Sequence, residues 1–503
     1  MSSPVTPPFQ RLLIANRGEI ALRVMRTASE MGVETVAVYS DADRNALHVR
    51  RADRAVHIGG SLPSESYLRG DHILAVAKEQ GCDAIHPGYG FLAENAAFAE
   101  ACAKAAVTFV GPSAEAIRLM GDKVQARKAA DLAGLPLIPG LKEDVKDVPT
   151  LQRKAAEIGY PVMLKAAAGG GGKGIRIVES EDQLEEADQL ARAEALSAFG
   201  DDRVYLEKFM TNPRHVEIQI MADQHGNVVH YGERECSVQR RHQKLLEETP
   251  SMALTPELRE QMGEAACKLA RQVNYVGAGT VEFLYSAGAF FFLEMNTRLQ
   301  VEHPITEMCY SVDLVAEQLR IAAGAKVREP KPPHGHAIEV RINAEDPDTF
   351  FPSLGTITRL NTPGGPGVRL DAVLYRGLEV TSHYDSMLGK LIVYAEDRAR
   401  AIARMRRALT ELRLMGVLTS IPACLRVLGD ADFQAGDYDT AILEKMNRVI
   451  PVEAETLAAL AAAVAKYLGT ERIDSPPEGS FSGNHVSPWV LTDRMEKLGR
   501  RPR

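Results

Sequence analysis

The segment from Thr280 to His303, TVEFLYSAGAFFFLEMNTRLQVEH, constrains this chain more than any other. Two apolar, β-prone runs flank a turn of small residues centred on Gly288, the pattern of a β-hairpin. Glu282 and Glu294 each stand six residues from that glycine, so the hairpin sets them opposite each other. Side chains alternate along a strand, which puts Asn296 on the face of Glu294, and Arg298, Gln300 and Glu302 continue the parity. Two carboxylates so placed repel unless a cation lies between them. The ribbon therefore reads as a hard-metal site, then an anion site, then an acid/base group. The competing reading, a salt-bridged sheet face, sits poorly beside Phe290–Leu293, where the acids would lie uncompensated against a buried strand.

Around this ribbon the chain is long enough for two to four domains, at 503 residues. Residues 11–40 read strand, turn, helix, strand, a βαβ unit, and alternating elements continue to about residue 120. The turn Asn16-Arg17-Gly18-Glu19 lacks the G-x-G-x-x-G pattern, so a dinucleotide site is unsupported, and Asp41 and Asp43 read as turn residues. The loop His86–Phe91 enters a helix expected over Glu94–Ala105. A strand ending at Lys165 leads through AAAGGGGKG into the strand Ile175–Val178. Strand, glycine-rich loop and strand resemble a phosphate-covering flap, unlike a Walker loop, which opens a helix; a mobile linker is the alternative, weakened by the embedded lysine-rich hairpin. Residues 335–446 read as an α+β lobe, and a helix over 453–468 is followed by a Pro/Gly/Ser linker and a basic end holding Trp489.

The net charge of −8 argues against broad nucleic-acid or anionic-membrane binding, so an anionic substrate needs a local basic site. The six cysteines form no C-x-x-C pair and read as reduced thiols. With no signal-like N-terminus and no apolar span, the expectation is a soluble, cytoplasmic, multidomain protein.

NRGEIA at 16–21, HPGYGFLAEN at 86–95, Lys165 with its flap, NPRHVE at 212–217, ERECSVQRRHQK at 233–244, EMNTRLQVEH at 294–303 and RINAED at 341–346 occur in that order. The set closely resembles biotin carboxylase, an ATP-grasp enzyme, over roughly residues 10–450. The resemblance implies an α/β and α+β multidomain fold: a Rossmann-like N-terminal domain over 1–120, an ATP-grasp domain over 121–334 with a mobile glycine-rich lid over about 137–210, an α+β C-terminal domain over 335–450, and an extension over 451–503.

It also implies roles. Lys123, Lys165, Gly170, Gly171, Gly172, Glu207, Lys208, His215, Gln239 and His242 match nucleotide-binding positions. Lysine supplies the compact charge that polyphosphate needs. Glu282, Glu294 and Asn296 match ligands of Mg2+ (or Mn2+). Lys244, Arg298, Gln300 and the Val301 backbone match the bicarbonate cradle, and Glu302 matches its base. Arg341 matches the arginine that stabilises the biotin enolate; alone, it would read as a surface ion pair. The catalytic set is thus Glu302, Arg298, Arg341 and Lys244. The flap departs from the family pattern, with Ala167-Ala168 before four glycines and Lys173 where Arg is frequent.

The implied activity is ATP-dependent carboxylation of biotin by bicarbonate through carboxyphosphate. That is the first half-reaction of acetyl-CoA carboxylase; a pyruvate, propionyl-CoA or other acyl-CoA carboxylase is the alternative. A non-catalytic nucleotide sensor is the rival from another class, and would be expected to have lost the metal carboxylates or Glu302. No Ala-Met-Lys-Met motif occurs, so biotin is expected on a separate biotin carboxyl carrier protein, with a separate carboxyltransferase as a further partner. The segment from Trp489 to Leu498 reads as either a partner-docking element or a helix folded back on its own domain. The face of Arg23, Arg26 and Glu30 contributes to a homodimer in the family; by itself it reads as a solvated charged face.

Overall fold

The computed structural model describes residues 7–141, 145, 147–166, 175–240 and 243–446. The expected lid glycines Gly170, Gly171 and Gly172, together with His242, the 453–468 helix and Trp489, lie outside the described residues.

The N-terminal sheet is parallel, in the order Arg54–Gly59, Glu34–Ser40, Arg11–Ile14, Ala84–His86, Thr108–Phe109. Leu12, Leu13, Ile14, Val36, Ala37 and Val38 are wholly buried, as strands covered on both faces require. Strand order reverses between Arg11–Ile14 and Ala84–His86, and the loops leaving those strands are tied there. Asn16 Nδ2 donates to the carbonyls of Pro87 and Tyr89, both at 2.7 Å. Asp43 is a buried partner of Arg17 and Tyr67, beyond the turn role expected of it. The helix expected from Glu94 starts at Ala96, because Asn95 caps it by accepting from Phe98 N at 2.9 Å. Glu94 is thereby left outside the helix.

The main sheet has eight antiparallel strands in the order Ala289–Asn296, Gly277–Ser286, Arg214–Ala222, Val228–Arg240, Gln243–Thr249, His336–Asn343, Met387–Ala395, Val368–Ala372. It runs unbroken across residue 335, because Gln243–Thr249 pairs with His336–Asn343. A single apolar cluster draws on the parallel sheet (Leu12, Ile14), the main sheet (Met221, Tyr231, Ile392) and the helices after the hairpin (Ile305, Leu314). Three shorter strands, Ile175–Val178, Val162–Ala166 and Val204–Lys208, have their own core of Leu151, Leu164, Leu184 and Leu206. Residues 139–141 lie against the last of them. Lys208 N donates to Pro139 O at 2.7 Å and Leu141 N to Leu206 O at 2.8 Å. A Cβ at Gly140 would meet Leu206 O at 2.5 Å, so only glycine permits this approach.

The hairpin forms as expected, but its register has a different cause. Ala287 and Gly288 both have positive φ, 51° and 82°, the two-residue type I′ turn. That turn alone pairs Tyr285 with Phe290 and Phe283 with Phe292, and would bring Leu293 opposite Glu282. A register shift between Glu282 and Phe283 sets Glu282 against Glu294 instead. The strand ends at Asn296, so Arg298, Gln300 and Glu302 do not continue its parity. They lie in the turn before the helix His303–Tyr310, with Glu302 at its N-cap.

The expectation of a solvated charged face at Arg23 is also corrected. Arg23 is buried and donates to Glu307 at 2.6 Å and Asp313 at 2.8 Å, because the face it occupies packs against the helix Leu314–Ala322. Arg26 is half exposed and reaches Asp371 at 3.0 Å. A non-glycine residue at positive φ costs about 1 kcal/mol. Ala287→Gly should therefore stabilise the chain by up to about 1 kcal/mol and Ala287→Val should destabilise it, read as opposite shifts of the urea midpoint.

Candidate active site

Strand pairing, a bulge and one turn bring the predicted residues to the open end of the hairpin. Gln219, Glu217 and His215 alternate along Arg214–Ala222, where Glu217 is opposite Glu282 and His215 opposite Leu284. Lys244 would face away from Glu247 by simple alternation. The register shift between the Val238–Leu246 and Gln239–Lys244 pairs adds one residue, so both point into the site.

Lys244 is the hub. Its Nζ lies 2.5 Å from Glu217 Oε2, 3.1 Å from Glu282 Oε1 and 2.6 Å from Glu302 Oε1. The acids are held from other sides as well. Arg234 Nε donates to Glu217 at 2.5 Å, His215 Nε2 lies 2.8 Å from Glu282, and Arg341 Nη2 donates to Glu302 at 2.9 Å. Gln239 Nε2 lies 3.0 Å from His215 Nδ1, which orients the imidazole. Asn296 Nδ2 and Gln300 Nε2 donate to Glu282 Oε1 at 2.9 and 3.1 Å. Arg298 donates to Asn296 Oδ1 at 3.0 Å and Gln300 Oε1 at 3.1 Å, closing the cluster.

The charges follow from these contacts. Burial alone would raise Glu302, but Lys244, Arg341 and Arg234 outweigh it and hold the carboxyl well below the usual range. Glu282 is likewise depressed, burial being overcome by Lys244 and His215. Glu294 goes the other way, raised by burial and by the charge of Glu282 across the ladder.

That asymmetry bears on a metal. Among the described residues the tight group of carboxylate and imidazole atoms, within 4.8 Å of one another, is His215, Glu217 and Glu282. Arg234 and Lys244 already compensate Glu217, however, whereas Glu294 accepts no hydrogen bond from any described residue. Glu294, facing Glu282 and beside the Asn296 amide, adds carboxyl oxygens without a donor among the described residues, and the three side chains make a hard-oxygen set that fits a magnesium ion.

The expected nucleotide residues gather nearby. Glu207 is buried between Arg127 and Lys165, with Lys165 Nζ 2.7 Å away, and these cations keep its carboxyl ionised despite burial. Burial, and Lys165 against the pull of Glu294, hold Lys123 below the usual ammonium range. Lys208 Nζ is spent on the carbonyls of Gly159 and Tyr160, at 2.8 and 3.1 Å. The Val301 carbonyl accepts from Lys390 Nζ.

Sequence reasoning missed several participants. Glu94 accepts from Arg298 Nε at 2.9 Å and from Thr297 N at 3.0 Å, and so fixes the turn that carries Arg298. Glu217 and Arg234 stand inside the NPRHVE and ERECSVQRRHQK motifs, where β-alternation with His215 and Cys236 was the available signal. Arg127 gave no signal, since its partner is 80 residues away.

Three family profiles match the chain: "Biotin carboxylase, N-terminal domain" over 8–117, "Carbamoyl-phosphate synthase L chain, ATP binding domain" over 122–330, and "Biotin carboxylase C-terminal domain" over 339–445. A pyruvate carboxylase subunit of Methanothermobacter thermautotrophicus is 49% identical over 489 residues, covering 92% of this chain and 100% of the relative. Biotin carboxylase of Nostoc sp. is 52% identical over 445 residues, covering 88% and 100%. Among solved structures, the biotin carboxylase domain dimer of Hydrogenobacter thermophilus 2-oxoglutarate carboxylase, with MgADP, ADP and bicarbonate, aligns with a TM-score of 0.84 and 48% identity. It covers 87% of this chain and 97% of that one.

Removing Lys244 should invert part of the pH dependence of stability. A depressed carboxyl such as Glu302 stabilises the fold above its unfolded pKa, and that stability is lost as pH falls towards the lower folded value. In Lys244→Met the folded value of Glu217, already raised by burial, rises further and that of Glu302 rises towards the ordinary range, so less stability is lost on the acid side and more is lost as pH rises through Glu217. The variant should be less stable than wild type by about 3–5 kcal/mol at pH 8, with a narrower gap at pH 5.5. Thermal melts of both proteins at the two pH values measure this; an unchanged gap contradicts it.

Proposed function

The chain belongs to the biotin carboxylase family, ligases that carboxylate biotin at the expense of ATP, and we propose that it does so with the side chains gathered around Lys244. The observation that carries this reading is Glu302: a fully buried carboxylate held between Lys244 and Arg341, two residues beyond Gln300 and close to the Glu282–Glu294 pair.

In this reading Lys123 and Lys165 take the ATP phosphates. Glu282, Glu294 and Asn296 would hold magnesium, which when bound screens the polyphosphate and lowers the charge barrier to attack on the γ-phosphoryl. Gly170, Gly171, Gly172 and His242 complete the nucleotide site with Glu207, Lys208, His215 and Gln239. Bicarbonate enters against Lys244, Arg298, Gln300 and the Val301 backbone. As the anion takes over Lys244, Glu302 loses a cation that suppressed its basicity, and it withdraws the bicarbonate proton. The resulting dianion attacks the γ-phosphorus, giving carboxyphosphate and ADP. Carboxyphosphate breaks into carbon dioxide and phosphate, and phosphate removes the ureido proton of biotin. The ureido nitrogen then bonds to carbon dioxide while Arg341 stabilises the charge on the ureido oxygen.

We further propose the domain division 1–120, 121–334, 335–450 and 451–503, a cytoplasmic location, homodimerisation, and a separate biotin carboxyl carrier protein and carboxyltransferase as partners. The Nostoc relative is matched over its full length across 445 aligned residues, which supports a biotin carboxylase separate from its carrier, and the Hydrogenobacter structure is a dimer. Among the described residues no helix is long and apolar enough to cross a membrane. Acetyl-CoA is the expected final acceptor. A 2-oxo acid such as pyruvate is a second reading, favoured because the Methanothermobacter pyruvate carboxylase match covers more of this chain than the Nostoc match, 92% against 88%.

Purified chain with magnesium, ATP and bicarbonate should form ADP faster when free biotin is added; absence of that stimulation sinks the carboxylase reading and leaves the nucleotide sensor. Glu302→Gln should reduce turnover at least 100-fold, the scale of a lost general base, while ATP affinity stays within about threefold. Loss of ATP binding would remove Glu302 from its assigned role. Assays of the captured native complex with acetyl-CoA, propionyl-CoA and pyruvate decide the acceptor.

A further inference from the structure

A pair of acids that no step above uses lies directly behind Arg341. Glu247, on Gln243–Thr249, and Glu339, on His336–Asn343, are register partners across an antiparallel ladder, and both are fully buried. Cross-strand partners have Cβ atoms about 5 Å apart on one face of the sheet. Arg341 follows Glu339 by two residues, so it shares that face. Its Nε donates to Glu247 Oε1 at 2.7 Å and its Nη2 to Glu302 Oε2 at 2.9 Å. The Nε donor of the guanidinium is therefore tied to Glu247 and the Nη2 donor to Glu302.

The oxygens left over are the informative part. Glu247 Oε2 and both carboxyl oxygens of Glu339 have no hydrogen-bond partner among the described residues. Three buried acceptors without a donor, on two acids that face each other, are unfavourable as two carboxylates. One proton resolves the mismatch, since it turns a Glu339 oxygen into a donor for the idle Glu247 oxygen and removes one of two like charges. The proton belongs on Glu339. Glu247 has the guanidinium in direct contact and also feels Lys244, whereas the cations that act on Glu339, Lys390 and Arg341, make no hydrogen bond to its carboxyl: Lys390 donates to the Val301 carbonyl and lies 3.3 Å from Glu19, and Arg341 donates to Glu247 and Glu302. Burial pushes both carboxyls up, Glu339 well above the usual range.

We propose that Glu247 and Glu339 form a carboxylate–carboxylic acid pair sharing one proton, and that Glu247 is the positioning residue that holds the Arg341 guanidinium for the ureido oxygen of biotin. This rests on the assignment of Arg341 made above. The logic is one of competition. A guanidinium tied to Glu302 alone follows that base whenever it moves to meet bicarbonate, whereas one anchored through Nε to a fixed strand keeps its remaining N–H groups aimed into the site. A neutral Glu339 makes the anchor possible, because a second anion there would compete for Arg341.

The test compares full-chain variants in two assays: biotin-independent, bicarbonate-dependent ATP hydrolysis and biotin-stimulated turnover. Glu247→Gln should lower kcat/KM for biotin about 10- to 100-fold, the range for a displaced substrate-orienting group, with biotin-independent hydrolysis changed less than about threefold. Glu339→Gln, whose amide reproduces a neutral donor, should keep kcat/KM within about threefold, and Glu339→Leu should lose about tenfold by removing the donor. Equal losses in both assays for Glu247→Gln, or no loss in either, overturn the positioning role. Equal losses for Glu339→Gln and Glu339→Leu overturn the shared proton. A difference infrared spectrum is independent of turnover: wild type at neutral pH should show a protonated-carboxyl C=O stretch that Glu339→Gln lacks, and absence of the band in wild type overturns the pair. Failure of biotin stimulation in wild type would instead count against the carboxylase reading and leave the infrared result standing.

Discussion

The fold of the site depends on how many carboxylates can be buried around one ammonium. Glu217, Glu282 and Glu302 are each almost fully buried and each within 3.1 Å of Lys244 Nζ. Burying even one unpaired ion costs several kcal/mol, so three acids converge only if cations are built in with them. Arg234 and Arg341 supply further cations and His215 a hydrogen-bond partner for Glu282, each from a different strand of the eight-stranded sheet. This explains why the sheet continues past residue 335: Arg341 has to reach Glu302 from a strand paired with the one that carries Lys244. The electrostatic requirement and the sheet topology are one constraint.

Much of this site was legible because β-structure has a short period. Two runs of aromatic and β-branched residues around Ala287-Gly288 identify a hairpin, and counting outward from Gly288 places Glu282 opposite Glu294. The count reaches the observed pair because two offsets cancel. The true turn is centred between Ala287 and Gly288, half a residue earlier than assumed, and the shift beside Glu282 restores the register. Past Asn296 the extrapolation fails: Arg298, Gln300 and Glu302 leave the strand, and Pro304 in the first turn of the following helix marks where extension stops. They still reach the site because Glu94, from the loop after the strand Ala84–His86, pins the turn through Thr297 and Arg298.

What stayed illegible shares one cause, the distance in sequence between partners. Arg23 looks solvated on a helical wheel, since nothing local says that Glu307 and Asp313 will cover it. Glu207 carries no local sign of Arg127, and Glu247 none of Glu339 or Arg341. Local periodicity tells which face a side chain takes; it does not tell which charged group of another element arrives on that face. Single-sequence reading therefore recovers strands, turns and motif positions, and misses the ion pairs that decide charge state.

Those ion pairs matter most in the arrangement before substrate enters. Glu302 is held by Lys244 and Arg341, and both cations suppress the basicity that its proposed role needs. The two cations are also the groups assigned to bicarbonate and to the ureido oxygen. Under the proposed assignment, each substrate, in taking its own cation, would raise the proton affinity of the base, so substrate binding and base activation would be one event and not two. An empty site is consequently a weak base, which disfavours proton transfer from water and unproductive attack on ATP. Lys244 has further carboxylates to retain it, Glu217 and Glu282, and Arg341 has Glu247. Each cation can move off Glu302 without becoming an unpaired buried charge, and that surplus of acids is what makes the exchange possible at low cost.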